Sequence, residues 1–379
     1  MPFETNILDP ALYEKVRRPV MEAEQLPAWC YTSPEFYERE VDRIFMRTWN
    51  FVGRTDLIPK PGDYLTVDLV GVPMILIHGD DGVIRAFSNV CRHRGTRLLS
   101  SEGNCKAIRC PYHSWTYSLN GSLRAAAGME KTQNFELADY GLKEFRLESW
   151  EGFLFVNFSQ GDKSLIDYLG DLPDVLGSYN FSEMVCTRRK IYDVACNWKV
   201  YIENQREAYH VSTVHRTSLS SQASVQLTTS GNWSGAFLER ESTEAVLRGE
   251  TASLPPIPSL TGRAAQGTYF ILVYPHAFFG CTRDCMWWME CQPQGPTRTK
   301  VIVGSCFPIS TVERTEFADV AEKYYERWDT SHPEDNEVCE LQQQGLISRF
   351  NVTGRLGTAE RGVHTIDNWI LDQVLDREA

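Results

Sequence analysis

The chain has 379 residues, of which 42% are hydrophobic, 12% aromatic and 23% charged, and this composition excludes a disordered or collagen-like protein. Its 50 acidic residues outnumber 38 Lys and Arg, and the net charge of −12 disfavours binding to nucleic acid or anionic membranes. A cytoplasmic protein is expected, because no run approaches the roughly 18 apolar residues of a membrane helix and the first residues show no export signal.

The first part of the chain is predicted to form an arm, a helix and then a small all-β domain. Ser33 suits a helix N-cap and Pro34 a first helical turn, and apolar residues recur at helical spacing as far as residue 49. Alternating apolar residues predict strands over 64–70, 72–78, 83–90 and 153–158, with a hairpin turn at 79–82. The expected boundaries are 1–47 for the arm and helix, which pack on the second domain, and 48–160 for the β domain.

A polar break at 159–162 is expected to begin a second domain over 161–379. A helical stretch from 164 and a strand-to-helix passage over 191–215 come first. A polar loop follows over 216–266, with a length typical of lids and binding loops. Strands over 269–274, 285–292 and 300–307 predict an antiparallel sheet. Helices are expected over 312–329, 333–348 and 358–376, with a break between the first two.

Two short motifs each combine a thiol with an imidazole: Cys91 with His93, and Cys110 with His113, with 16 residues between the motifs. A structural zinc is one interpretation, although zinc sites usually pair Cys with Cys and His with His. Mixed pairs suit a two-iron cluster better. If both Cys bind one iron and both His the other, the arrangement is that of a Rieske [2Fe–2S] centre.

The segments CRHRG at 91–95 and CPYHSWTY at 110–117 resemble the two cluster loops of the Rieske non-haem iron oxygenases. The resemblance implies an α+β protein, with an N-terminal all-β Rieske domain and a C-terminal helix-grip-like catalytic domain whose antiparallel sheet is flanked by helices. It places Cys91 and Cys110 on the inner iron, with His93 and His113 on the outer one.

The resemblance also implies an external source of electrons. Imidazole ligands raise the cluster potential to roughly −150 to +300 mV, so that the cluster can accept electrons from a reductase. The chain has no Gly-rich dinucleotide fingerprint of its own. The expected partner is therefore an NAD(P)H-dependent flavin/iron–sulfur reductase or a ferredoxin.

A second metal site is predicted from His210 and His215, which are five residues apart in an acidic and aromatic segment. The resemblance implies a mononuclear non-haem Fe(II) held by two His and one carboxylate, a facial triad that leaves positions open for oxygen chemistry. The third ligand is placed at Asp335, with Glu334 as the alternative. Acidic residues behind Pro333 could instead complement a helix N-terminus.

Glu207 is assigned a separate role by the same resemblance. In related ring dioxygenases an Asp three residues before the first iron-binding His contacts that His and a Rieske His of the neighbouring subunit. A Glu207 bridge of this kind would join His113 of one subunit to His210 of the next. It implies a homotrimer, whereas the alternative is a solvated helix glutamate.

The substrate is less sharply indicated than the reaction. The segment 203–210 resembles the carnitine, glycine betaine and stachydrine branch, which attacks carbons near a quaternary ammonium, but Ala208 and Val211 replace the branch's Cys residues. The expected reaction is O₂-dependent hydroxylation or oxidative demethylation. Four aromatic residues are candidates for a cation–π cage or, alternatively, for core packing: Trp287, Trp288, Tyr269 and Tyr274.

Two other functions stay open from the sequence. An aromatic carboxylate hydroxylase or demethylase of the same family would be favoured by a cation at His276 or Arg283 near the pocket. A zinc-stapled, non-catalytic binding protein is the alternative from a different class. A pure electron carrier would leave the 220 residues after the β domain unexplained.

Overall fold

The computed structural model describes residues 6–251 and 254–375, and the chain divides into two compact units. Residues 49–165 form the smaller unit, and residues 1–48 together with 166–379 form the larger one. The first five residues of the predicted arm, and residue 376 at the end of the last predicted helix, lie outside the described residues. Within the described ranges, no helix is both long and apolar enough to cross a membrane.

The smaller unit is all-β. Its first sheet has seven antiparallel strands, in the spatial order Asn50–Arg54, Phe153–Asn157, Glu144–Trp150, Ile84–Ser88, Val72–His78, Asp63–Leu69 and Glu102–Asn104. A second sheet of three short strands consists of Ile108–Arg109, Thr116–Tyr117 and Leu123–Ala125. Residues 91–95 and 110–117 contribute Cys91, Cys110, Trp115 and Tyr117 to one buried cluster, so these two motifs belong to the core of the unit.

The larger unit is built on a second seven-stranded antiparallel sheet. Its strands, in spatial order, are Met184–Val194, Thr299–Pro308, Met286–Pro293, Ala277–Cys281, Gly267–Val273, Trp233–Glu239 and Val225–Gln226. The α-helices of the chain are Trp29–Thr32, Pro34–Glu40, Leu165–Leu169, Leu172–Leu176, Trp198–Asn204, Ile309–Val312, Phe317–Ile347 and Arg361–Val374, and a π-helical turn covers Val41–Phe45. The predicted α+β class, with an all-β unit followed by a sheet flanked by helices, is confirmed.

The helix Phe317–Ile347, called the long helix below, corrects one prediction. Two separate helices were expected, yet a single 31-residue helix runs through Pro333. A proline inside a helix costs about 3 kcal/mol because it removes a hydrogen bond. Buried side chains continue at helical spacing on both sides of Pro333, from Tyr324 and Trp328 to Cys339 and Leu346. Packing of this stripe outweighs the lost hydrogen bond.

The predicted loop over 216–266 is wrong in part. It contains the strands Val225–Gln226 and Trp233–Glu239, which complete one edge of the larger sheet. The strand Trp233–Glu239 is buried up to its last residue, so it lacks the alternation of polar and apolar residues that reveals a half-exposed strand.

Candidate active site and metal centres

The two thiol–imidazole motifs form matching tight turns. The Gly95 amide donates to the carbonyl of Cys91, and the Ser114 amide donates to that of Cys110, in both cases over four residues. Gly95 and Ser114 adopt positive φ of 74° and 60° to close these turns. The turns bring the rings of His93 and His113 to a centroid distance of 4.8 Å, so the motifs converge in space.

The surroundings of these motifs fit a metal cluster. Both thiols are buried, with Cys91 3% and Cys110 2% exposed. Nδ1 of His113 is buried without a hydrogen-bond partner among the described residues, which is costly for a ring nitrogen unless it binds a ligand. Burial, His113 and Arg94 together lower the pKa of His93, which favours the neutral imidazole that metals bind.

Aromatic side chains support the same motifs. The Trp115 ring stacks on His93 at 4.9 Å and an interplanar angle of 9°. The Tyr117 hydroxyl accepts a hydrogen bond from the Arg92 amide at 3.0 Å and lies 3.4 Å from Sγ of Cys91. Because its oxygen accepts from the amide, the hydroxyl proton is available to the sulfur.

The second candidate centre is assembled from two segments of the larger unit. The helix Trp198–Asn204, capped by the Asn197 side chain, ends before a short irregular segment, and a 3₁₀ turn begins at His210. His215 lies three residues beyond the end of that turn at Ser212. The opposite side of the centre is Asp335, in the middle of the long helix. Its position excludes the alternative in which the acidic residues complement a helix N-terminus.

His210, His215 and Asp335 converge on one point. Oδ1 of Asp335 lies 3.0 Å from Nε2 of His215 and 3.5 Å from Nε2 of His210. One potential ligand atom from each of the three lies within 4.8 Å of the others. His215 and Asp335 are buried, and His210 is 15% exposed. Two imidazole nitrogens and one carboxylate oxygen in this arrangement fit a mononuclear iron.

Nδ1 of each imidazole contacts a carboxylate other than Asp335. Nδ1 of His210 lies 2.6 Å from Oε1 of Glu207, and Nδ1 of His215 lies 2.7 Å from Oε2 of Glu334. These contacts place the ring proton on Nδ1 and leave Nε2 free for a metal. Glu334, the alternative third ligand, therefore contacts the nitrogen of His215 that faces away from Asp335.

Burial and neighbouring charges have opposite effects on the pKa values of His215 and Asp335. Burial alone would lower the pKa of His215, but Asp335 and Glu334 outweigh it and raise that pKa. Burial alone would raise the pKa of Asp335, but His215 and His210 outweigh it and lower that pKa. Asp335 is thus an anion in the folded protein, as a metal ligand must be.

The His–His–Asp group borders a cavity of about 740 Å³. Its apolar wall includes Phe270, Phe278 and Trp287, whereas Trp288, Tyr269 and Tyr274 do not line it. Of the four candidates for an aromatic cage, only Trp287 thus borders the cavity. His276 and Arg283, the candidate cations for an aromatic carboxylate, do not line it either. His276 is buried, and burial lowers its pKa to about 3.

Several cavity residues were not predicted from the sequence. Arg206 and Arg327 line it as buried cations. His332 lines it with both ring nitrogens unpartnered among the described residues, and burial lowers its pKa to about 3, so it is a neutral donor and acceptor. For Arg327 the sequence offered one signal, its helical spacing from Asp335, because residues 327, 331 and 335 share one face of a helix. The predicted break near Pro333 concealed it.

An all-β unit with two Cys–His turns, followed by an α+β unit with a His–His–Asp group beside a cavity, defines the architecture of a two-centre iron oxygenase. The family model "Rieske [2Fe-2S] domain" matches residues 48–137, and the model "Ring hydroxylating alpha subunit (catalytic domain)" matches residues 181–376. The chain belongs to the Rieske non-haem iron oxygenases, as an oxygenase alpha subunit. It is an oxidoreductase with a Rieske cluster and a mononuclear iron, and the zinc-stapled alternative is wrong.

Similar proteins act on quaternary ammonium compounds. The glycine betaine monooxygenase oxygenase subunit of Chromohalobacter salexigens is 31% identical over 387 residues, covering 93% of this chain and 86% of that protein. The chloroplastic choline monooxygenase of Arabidopsis thaliana is 30% identical over 361 residues, covering 91% and 82%. A structure of a quaternary ammonium Rieske monooxygenase, described in terms of carnitine oxidation and inter-subunit electron transfer, matches with a TM-score of 0.81 and 26% identity, covering 95% and 98%.

Proposed function

We propose that this chain oxidises an N-methyl group, or a carbon close to the nitrogen, of a small quaternary ammonium compound. The observation that carries the proposal is the His210–His215–Asp335 group at the wall of a 740 Å³ cavity, a volume suited to a small organic molecule. Relatives of this chain act on glycine betaine and choline, which share a trimethylammonium group.

The ligand assignments are part of this proposal. Cys91 and Cys110 hold the inner iron of the cluster, and His93 and His113 hold the outer iron. Three further residues hold the mononuclear iron: His210, His215 and Asp335. When bound, the cluster supplies single electrons and the mononuclear Fe(II) activates O₂ for insertion into a C–H bond.

Glu207 is proposed to connect the two centres across a subunit boundary in a homotrimer. Oε1 contacts Nδ1 of His210, while Oε2 accepts hydrogen bonds from the amides of Tyr209 and His210, so the carboxylate is fixed in orientation. Tyr209, beside His210, is 69% exposed, and Tyr112, beside His113, is 57% exposed. Exposed aromatic residues next to both ends of the proposed bridge suit a contact between subunits.

The overall reaction balances with one O₂, two electrons and two protons. A substrate methyl group becomes a hydroxymethyl group, and the second oxygen atom leaves as water. A hydroxymethyl group on a quaternary nitrogen then releases formaldehyde and a proton, leaving the tertiary amine. The electrons come from an NAD(P)H-dependent reductase or ferredoxin. The apolar wall formed by Phe270, Phe278 and Trp287 excludes water from one side of the bound substrate.

An aromatic carboxylate is the second candidate substrate, because three arginines line the cavity. A substrate panel separates the two. The purified protein with a reductase is incubated with methylated ammonium compounds and with aromatic acids, while NAD(P)H, O₂ and the aldehyde products, formaldehyde included, are measured. With a quaternary ammonium compound we expect one aldehyde per O₂ and per NAD(P)H, which is formaldehyde where a methyl group is oxidised. We expect none with His210→Ala. Consumption of NAD(P)H and O₂ that is coupled to product formation only with aromatic acids would overturn the proposal.

A further inference from the structure

The cavity beside the His–His–Asp group has an excess of positive charge. Its formally charged lining residues are Arg206, Arg327 and Arg361 against Glu207 and Asp335, and a ferrous ion would add two further positive charges. Charges in a partly desolvated cavity interact more strongly than in water. A ligand that carries an anionic group is therefore favoured there over an organic cation without one.

Arg327 is the buried arginine of the cavity with a terminal guanidinium nitrogen free to bind a ligand. It is 4% exposed, its Nε donates to the backbone carbonyl of Glu244 at 3.2 Å, and its Nη1 donates to Oγ of Ser331 at 3.1 Å. Nη2 has no partner among the described residues. The Glu244 carboxylate pairs with Arg240 instead. The guanidinium also lies 4.6 Å from the centroid of Trp287, which fixes its plane.

A buried arginine without a paired carboxylate is unusual, because removing its charge from water costs several kcal/mol. The contacts of Arg327 within the chain are a carbonyl, a hydroxyl and an aromatic ring, and none of these is an anion. The carboxylates of Glu244, Asp335 and Glu334 act on Arg327 without an ion-pair contact, so a ligand in the cavity can supply a directly bound anion. A guanidinium held rigidly by neighbouring groups is well suited to a carboxylate.

Arg206 differs from Arg327 in the use of its terminal guanidinium nitrogens. It is also buried and also forms no ion pair with a described carboxylate. Both of its terminal nitrogens are used, since Nη1 donates to the carbonyl of Phe270 and Nη2 donates to Oε1 of Gln226. Its Nε is buried without a partner among the described residues, so its one unused donor is not on the terminal fork. These bonds attach it to two strands of the larger sheet. Arg206 contributes charge to the cavity, but both of its terminal nitrogens have a structural use.

The position of Arg327 relative to the proposed iron ligands suits a bound substrate. Arg327, Ser331 and Asp335 are four residues apart and share one face of the long helix. Eight residues of helix correspond to about 12 Å between the Arg327 and Asp335 backbones. The Arg327 side chain covers part of that distance, because it reaches Ser331, one turn from Asp335.

We infer that Arg327 binds the carboxylate of the substrate, which makes the substrate a zwitterion with a quaternary ammonium at one end and a carboxylate at the other. The zwitterion rests on the proposed function, but the anion-binding role of Arg327 does not. The inference separates this chain's preferred substrate from choline, which has a hydroxyl where glycine betaine has a carboxylate.

The test uses substrates matched in everything but the anion: glycine betaine against choline, and carnitine against its methyl ester. For the wild-type protein we expect kcat/KM to favour the carboxylate in at least one pair by about thirtyfold or more. Equal kcat/KM within both pairs, with an aldehyde released, would overturn the inference and leave the proposed function standing. Activity only with aromatic acids would overturn the proposed function, and the zwitterion with it.

Variants test the residue itself. Arg327→Gln should lower kcat/KM for the carboxylate substrate by about thirtyfold or more. It should leave kcat/KM for the matched substrate without a carboxylate unchanged or higher. Arg327→Lys keeps the charge and should fall in between. Arg349→Gln removes the same charge just beyond the C-terminal end of the long helix, where the side chain is exposed, and should change neither value.

Two further readouts separate substrate binding from a folding defect. The visible spectrum of the cluster and the melting temperature show whether each variant is folded. Calorimetric titration with glycine betaine and with carnitine, without oxygen, measures binding apart from turnover. An equal loss for both members of a pair in folded Arg327→Gln would show a structural role and overturn the assignment. So would unchanged affinity for the carboxylate substrate.

Discussion

Glu334 provides a sharp test of how the mononuclear centre is supported. Its Oε2 accepts two hydrogen bonds, from Nδ1 of His215 at 2.7 Å and from Oγ of Ser218 at 2.6 Å. Replacement by Gln keeps an acceptor oxygen but removes the negative charge that makes His215 a stronger ligand. The variant Glu334→Gln should therefore bind Fe(II) more weakly while its Rieske cluster is unchanged.

The expected loss of Fe(II) affinity depends on the contact that Glu334 makes and on its exposure to solvent. Loss of a group that hydrogen-bonds a metal-bound His weakens metal binding by about 10- to 100-fold, or about 1.4 to 2.7 kcal/mol. The Glu334 side chain is 28% exposed, so solvent screens part of its charge. We therefore expect about tenfold for Glu334→Gln. Glu334→Ala removes the acceptor as well and should approach 100-fold.

The assay is equilibrium competition for Fe(II) with a chelator, followed by iron analysis and by the visible spectrum of the cluster. Glu337→Gln is the matched control, because it removes the same charge from an exposed position three residues further along the same helix. Equal Fe(II) affinity in Glu334→Gln and Glu337→Gln would refute the role of Glu334 in orienting His215.

Three other predictions concern separate parts of the molecule. Glu207→Gln should keep both iron centres but slow single-turnover electron transfer by orders of magnitude, and unchanged kinetics would refute the proposed bridge. Tyr117→Phe removes a hydroxyl 3.4 Å from Sγ of Cys91 and should lower the cluster potential in a redox titration, since hydrogen bonds to cluster sulfurs raise it; an equal or higher potential would contradict this. Burial raises the pKa of Glu290 from 4.5 to about 7, so the folded state binds more protons than the unfolded chain and wild-type stability falls as pH rises between these values. Glu290→Gln should remove that dependence and gain up to about 3 kcal/mol in denaturant unfolding at pH 8, whereas the same slope in the variant would show that the dependence arises elsewhere.

Much of the fold could be predicted because its strands are long or strongly patterned. The strands predicted over 72–78, 285–292 and 300–307 are observed at Val72–His78, Met286–Pro293 and Thr299–Pro308. The motifs at 91–95 and 110–117 indicated their chemistry directly, because few other structures require Cys and His at that spacing. Ser33 caps the helix that begins at Pro34, as its position predicted.

The remaining features depend on tertiary packing that local patterns do not encode. Pro333 usually ends a helix, and only the buried stripe on both sides of it explains why the long helix continues. Glu334 and Asp335 are neighbours in sequence, and their different contacts with His215 depend on helix orientation. The unpaired state of Arg327 is a property of its surroundings, which no spacing rule describes.

The central claim, that one chain holds two different iron centres, is tested most directly by metal and acid-labile sulfide analysis of the wild-type protein and of Asp335→Ala. We expect three iron atoms and two sulfide ions per wild-type chain. We expect Asp335→Ala to lose one iron while keeping both sulfides and an unchanged Rieske electron paramagnetic resonance signal. Colourless, zinc-containing wild-type protein, or loss of all iron and sulfide together in folded Asp335→Ala, would contradict the claim.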